Sequence, residues 1–234
     1  PRSTLIILFK KKEKKMNKRK GQIAPYLFLL PNLLIFGIFV ILPSIFGFVI
    51  SFTKWDVLTS PAFVGLGNYI RIFNDSRFWD TFLRTLVYVL MSVPLTFLLS
   101  MVLALILNTG MKARGLFRAI FYLPAMLSFI IIGISWQWLL GDNFGVVNYI
   151  LHSVGLQPVR WLTTSTTAMM MVVLATVWAR SGYYMVMFLA GLQGIPETYY
   201  EAADIDGANK WQQFKEITLP LLKPTSLVVL VLNT

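Results

Sequence analysis

Four long apolar runs constrain this chain more than any other feature: residues 23–52, 81–107, 119–140 and 168–192. Crossing the hydrocarbon core of a bilayer takes about 20 apolar residues in a helix, and each run supplies that length. A fifth run begins at Leu221 and stops at Asn233-Thr234, before it could cross. Charged residues make up only 13% of the chain and mean hydropathy is +0.68, whereas soluble domains carry about 25% charged residues. The expected fold class is therefore an all-α membrane protein, a polytopic helix bundle, with its final helices lying beyond the end of this chain.

Between the runs, the chain divides into loops of different character. Residues 1–22 form a polar tail in which eight of the 21 Lys and Arg residues lie between Lys10 and Lys20. The apolar run that follows is longer than a signal-peptide core and no small-residue cleavage site stands out, so it reads as an uncleaved first span. Pro31 and Pro43 are expected near its ends. Residues 53–80 form a loop with Trp55, Tyr69 and Trp79 as interface aromatics. Asn108-Thr109-Gly110 ends the second span with turn chemistry, and residues 141–167 form another loop. His152 is read as a plain loop residue, Met169 to Met171 as core filler, and Ala175 with Ala179 as a small pair for close helix packing.

Basic residues set the orientation. With the N-terminus inside, 15 Lys and Arg residues fall on the cytoplasmic side, including Lys112, Arg114, Arg118, Lys210, Lys215 and Lys223, against five outside, with Arg180 within the membrane. This satisfies the positive-inside rule. The net charge of +11 is thus a juxtamembrane property that favours contact with anionic lipid, and no nucleic-acid partner is implied.

One polar stretch, residues 193–220, interrupts the oily sequence on the side assigned to the cytoplasm. Pro196 suits a first helical turn, Glu197 and Glu201 place carboxylates where a helix N-terminus favours them, and Gly207 fits a left-handed C′ position. Asn209 with Gln212 three residues on has the form of a capping box, and the second helix is expected to run to about Thr218, closed by Pro220 and Pro224. Two helices this short are marginal alone, so they need a partner surface or the rest of the bundle. Ala202, Ala203 and Ala208 allow close approach; Glu201, Asp204 and Asp206 offer charge to a basic partner.

The letters of this stretch resemble a known motif. Glu201-Ala202-Ala203, three residues, Gly207, nine residues, then Ile217-x-Leu219-Pro220 matches the EAA loop of ATP-binding-cassette (ABC) importer permeases without a gap. Asp206 belongs to the same EAADIDGA segment. The stretch FVGLGNYIRIF, residues 63–73, and the Gly145, Asn148, Leu151, Gly155 and Trp161 pattern resemble the carbohydrate-uptake branch. The resemblance implies a type I importer permease domain over residues 23–234. It implies a coupling helix at residues 193–220 that inserts into a cytoplasmic ATPase, which would hold the ATP and Mg. It further implies a second permease subunit, the same chain or a related one, and an extracytoplasmic solute-binding protein. Location in the cell membrane follows.

Arg180 is out of place in an apolar span. A charge at mid-bilayer costs at least about 2.5–3.5 kcal/mol, so it should face the bundle or a watery cavity. Trp178, Ser181, Tyr183 and Tyr184 surround it at helical spacing, offering the rings and donors that a sugar-sized ligand needs; in the family this helix lines the translocation path. The alternative is that Arg180 bonds a backbone carbonyl at a helix break near Gly182.

Absences exclude other chemistry. There is no cysteine and a single histidine, so the usual metal clusters and nucleophiles are missing and no catalytic role is expected. No GxxxxGK[ST] phosphate loop occurs, so ATP should bind elsewhere than this chain. No carboxylate lies within the spans, against a gradient-driven carrier. Import of an amino acid, peptide or polyamine by the same machinery remains the alternative to sugar import.

Overall fold

Apolar sequence without charge folds as helix wherever backbone groups must find partners within their own segment, and helices account for nearly all regular structure. The computed structural model describes residues 26–142 and 144–234; the basic tail and the first residues of the expected first span lie outside them.

Helix α1, Tyr26–Ile50, is 25 residues long. Its proline positions differ from expectation: Pro31 and Pro43 both lie inside it. Pro43 has no N–H for the carbonyl four residues back, and the chain meets this by widening into a π-turn, Gly37–Ile41, just upstream. None of the most apolar window of α1 is buried within the chain, which suits a helix solvated by hydrocarbon.

The segment expected as a loop after α1 is ordered. A two-stranded antiparallel hairpin pairs β1, Thr53–Lys54, with β2, Ala62–Phe63, and helix α2 covers Gly67–Phe73. Asn68 pins α2 to the end of α1 by donating to the carbonyls of Ser51 at 2.9 Å and Thr53 at 2.8 Å. Tyr69 adds a hydroxyl contact to Ser51 at 2.6 Å.

Residues 81–234 form a second compact unit. Helix α3, Ser76–Asn108, runs into it and carries Pro94 internally. Helices α4, Arg114–Tyr122, and α5, Phe129–Leu139, replace the single straight span expected over residues 119–140. They meet at 99° across a 3-10 turn, Leu123–Met126. Leu127 is extended, and Ser128 restarts the helix by accepting from the Ile130 N–H, so the bend has a local cause in Pro124 and a new N-cap.

Helix α6, Val146–Ser153, lies in the expected loop and includes His152. Helix α7, Ser165–Gln193, is unbroken over 29 residues. Then come α8, Thr198–Ile205, α9, Lys210–Leu221, and α10, Lys223–Asn233, the last two meeting at 63°.

The core of this unit joins α3, α7 and the start and middle of the α10 segment: Ala104, Leu107, Met185, Phe188, Leu192, Leu222 and Val229. Met185, rather than Met169 to Met171, is the buried methionine, since Met170 is half exposed and its two neighbours are partly so. Ala179 is buried, but the closest backbone approach comes one turn later. A Cβ at Gly182 would sit 1.9 Å from the Phe121 carbonyl oxygen and 2.9 Å from the Tyr122 Cα, and one at Gly191 would sit 2.6 Å from Thr225 Oγ1.

Gly182→Ala is expected to cost about 2 kcal/mol or more, because backbone must move rather than a flexible side chain. Gly47→Ala, where nothing lies within 4 Å of the added carbon, should be neutral or mildly stabilising. Unfolding midpoints of the two purified variants in mild detergent check this; equal midpoints would contradict the close packing.

Candidate functional site

The polar segment after α7 folds as two short helices about a glycine turn. Gly207 takes φ +78°, a left-handed conformation that any side chain strains. Asn209 and Gln212 form the reciprocal capping box, with Gln212 N–H to Asn209 Oδ1 at 2.9 Å and Asn209 N–H to Gln212 Oε1 at 2.8 Å.

Helix α9 does not stop at Thr218 as expected. A π-turn, Phe214–Thr218, precedes Pro220, as the one in α1 precedes Pro43, and the helix continues to Leu221. Pro224 lies in the first turn of α10 instead, where its missing N–H does no harm.

Contacts absent from the motif brace the two helices. Gln213 is buried and donates to Asp204 Oδ1 at 2.5 Å and to the Ala208 carbonyl at 3.2 Å. Lys210 Nζ bridges Asp204 at 3.3 Å and Gln213 Oε1 at 3.1 Å. Tyr200 meets Thr218 Oγ1 at 2.9 Å. A polar residue six to nine positions after Asp204 was visible, but spacing did not pair it. Glu201, Ala202 and Asp206 face outward on this braced unit, Ala203 is half-buried, and Ile205 and Trp211 are strongly exposed. Ile217 is half-buried, while Leu219 and Pro220 remain exposed.

The residues singled out on α7 separate into two sets. Tyr184 and Ser181 are buried, and the Tyr184 hydroxyl donates to the Leu232 carbonyl at 2.7 Å. Tyr183 and Trp178 are open, Trp178 meeting Trp136 edge to face at 6.0 Å. The Arg180 guanidinium lies 5.7 Å from the centre of the Phe129 ring, a cation–π arrangement, and α7 is continuous through Gly182. Phe129 also lines an apolar cleft of about 310 Å³ with Ile132, Trp136, Val172 and Thr176, so Arg180 stands at its edge. The described residues contain no group of three or more His, Cys, Asp or Glu placed to hold a metal ion.

On the opposite end of α7, Asn148 knots the loop around α6. It donates to the Val159 carbonyl at 3.0 Å and accepts from the Val159 N–H at 3.0 Å and Trp161 Nε1 at 2.9 Å. This gives the Asn148 and Trp161 of the loop pattern a structural part.

A helical membrane bundle interrupted by such a paired-helix segment is the architecture of an ABC importer permease. Residues 63–234 match the family described as binding-protein-dependent transport system inner membrane component, and the chain belongs to that family. It is 40% identical over 222 residues to a trehalose/maltose transport system permease protein of Thermococcus litoralis, covering 94% of this chain and 75% of that one. It is 37% identical over 213 residues to an arabinooligosaccharides transport system permease protein of Bacillus subtilis, covering 90% and 67%. Among solved structures, a bacterial alginate ABC transporter in complex with its alginate pentasaccharide-bound periplasmic protein superposes with a TM-score of 0.81 at 28% identity, covering 93% of this chain and 73% of that one. The protein is thus a multi-pass inner membrane component and a transport subunit.

Hydrogen bonds from Gln213 and then Lys210 hold the Asp204 carboxyl below its ordinary 3.8. A depressed carboxylate contributes stability above its unfolded value and loses it as pH falls through the folded one. Amide protection across residues 198–218, taken relative to the intrinsic exchange rate at each pH, should therefore stay constant from about pH 8 to 5 and fall only below the ordinary Asp range. Asp204→Ala should lower it at neutral pH; protection unchanged by the substitution would show that the brace does not hold the helices.

Proposed function

We propose that this chain is the membrane-spanning half of an ATP-driven, binding-protein-dependent importer for a sugar or oligosaccharide, with residues 193–220 as the docking surface for a cytoplasmic ATPase. The observation that carries the reading is mechanical. The segment is braced as one unit by Asp204 and Gln213, exposes Glu201, Ala202 and Asp206, and leads through a 63° bend into α10.

The ATPase would hold ATP and Mg and perform hydrolysis. Closure of paired ATPases moves the braced segment, α10 and α7 move with it, and the cavity opens outward. A solute-binding protein then delivers the sugar, and hydrolysis resets the inward-open state. A cytoplasmic position for that segment, with the N-terminus inside, is supported by the basic residues of the α3–α4 loop and of α9. A second permease subunit, a related chain in a heterodimer, completes the path.

Sugar as solute is supported by what the similar permeases carry and by the chemistry at the edge of the cleft. Arg180 offers donors, while Phe129, Trp136 and Trp178 offer ring faces for sugar CH patches. Trp178, Tyr183 and Arg180 are the residues assigned to the path. Ser181 and Tyr184 are buried against neighbouring helices and serve packing.

Glu201→Lys and Gly207→Pro should each abolish uptake in cells while leaving membrane insertion intact. Proline cannot take the positive φ of Gly207, and a lysine reverses the charge offered to the ATPase. Uptake at the normal rate by both variants would remove the coupling role. Arg180→Ala should lower uptake about tenfold or shift preference among sugars, as loss of one charged contact of about 1.4 kcal/mol would do; an unchanged substrate profile would leave Arg180 a packing residue.

A further inference from the structure

We infer that Gln137 is a second sugar-binding position in the cleft between α5 and α7, and that together with Arg180 it makes this site take two linked sugar rings rather than one. The inference rests on the reading of that cleft as the solute path and adds to it the length of the solute.

Helix α5 has the sequence FIIIGISWQWL, in which Gln137 is the one side-chain amide. An amide set among apolar groups is costly without a hydrogen-bond partner, and none of the described residues supplies one to the Gln137 side chain. Gln137 lines the cleft of about 310 Å³ together with Phe129, Gly133 and Trp136. With 3.6 residues to a turn, these four share one face of α5. No carboxylate lines the cleft, so Gln137 brings to it two N–H donors and a carbonyl acceptor. That is a set which neighbouring hydroxyls of a sugar, each able to donate and accept, can satisfy.

Spacing along α5 sets the length of the solute. The Arg180 guanidinium stands by the Phe129 ring, 5.7 Å from its centre. Gln137 lies two turns further along α5 than Phe129, about 12 Å on the helix axis. One pyranose ring can reach either group; bonding both at that separation takes a second ring. Between them the wall of the cleft is open, since a Cβ built on Gly133 would meet nothing within 4 Å. Trp136, edge to face with Trp178 at 6.0 Å, sets a ring beside that space for sugar CH patches. A volume of about 310 Å³ stands at the small end of the range for ligand pockets, which suits a disaccharide or the end of a longer chain.

The full chain, purified with whatever subunits accompany it but without a solute-binding protein, is placed in nanodiscs free of glycoside detergent. Equilibrium binding is then measured for radiolabelled monosaccharides (glucose, galactose) and disaccharides (maltose, lactose). Wild type should bind a disaccharide of this set more tightly than either monosaccharide. Gln137→Leu, apolar and so compatible with the span, should weaken that disaccharide about tenfold, as the loss of a hydrogen bond would, and leave monosaccharide binding unchanged. Gln137→Asn should restore part of the loss, and Arg180→Ala should weaken both lengths of sugar. Disaccharide binding unchanged in Gln137→Leu would overturn the inference while leaving the cleft as solute path, as would an equal loss for both lengths. Shedding of an accompanying subunit by Gln137→Leu, with every affinity unchanged, would make the amide a tie between helices and overturn it too. Wild type that binds none of the four sugars, or binding indifferent to Arg180→Ala, would remove the cleft as solute path and this inference with it.

Discussion

The backbone contact between Gly182 and residues Phe121 and Tyr122 governs the packing of the second unit. Without a strong hydrophobic drive between helices in lipid, association depends on close packing and interhelical hydrogen bonds. A glycine lets α7 lie directly on the turn that separates α4 from α5. Nine residues on, Gly191 does the same against Thr225 at the start of α10. Around these two points the larger groups fill in: Phe188 against Phe97 edge to face at 5.2 Å, and Met185 with no exposure at all. The polar contacts agree with this register, Tyr88 reaching Thr176 at 3.0 Å from α3 and Arg84 reaching Ser165.

Such packing explains which parts of the fold could be read from the chain. Apolar length is a local property, so α1, α3 and α7 were legible with ends displaced by a few residues. Turn chemistry is local too, which is why Gly207 takes its positive φ and Asn209 its capping box. Prolines misled in both directions. Pro43 is expected near an end of its span but lies inside α1, and Pro220 stands one residue before α9 ends; each follows a π-turn finishing two residues before it. Pro124, read as part of a continuous span, marks a bend of 99°. The difference lies with the neighbours: Leu127 is extended and Ser128 offers a fresh N-cap after Pro124, whereas no such cap interrupts the helix between Pro43 and Ile50.

The site was less legible because its contacts join residues that no short-range spacing relates. Asp204 was noted only as a charge offered to a partner, yet it is engaged within the segment by Gln213 and Lys210. Asn148 belonged to a pattern, but its role emerges only when residues 141, 142, 159 and 161 are gathered around one amide. On α7, helical spacing grouped Tyr183 with Tyr184. Their rings do meet, at 5.3 Å, but the neighbouring helices leave Tyr183 open and bury Tyr184, bonded to Leu232.

Those same tertiary bonds say how a displacement of the braced segment would travel. Helix α10 is attached at Leu232 and Asn233 by two interhelical hydrogen bonds, Tyr184 to the Leu232 carbonyl at 2.7 Å and Asn233 to the Val93 carbonyl at 3.1 Å. Val93 adjoins Pro94, where α3 already lacks one ladder donor. At its near end α10 meets α7 through Leu222 and Thr225 against Gly191. Contacts at Leu222 and Thr225 and again at Leu232 and Asn233 tie α10 to both neighbours, so movement entering at Leu221 is shared with α7 at the level of Gly191 and with α3 at the level of Pro94. Thr96, one turn beyond, is buried with its hydroxyl unpaired. That leaves a spare polar group close to Pro94, where a shift of α3 can exchange one hydrogen bond for another rather than lose it.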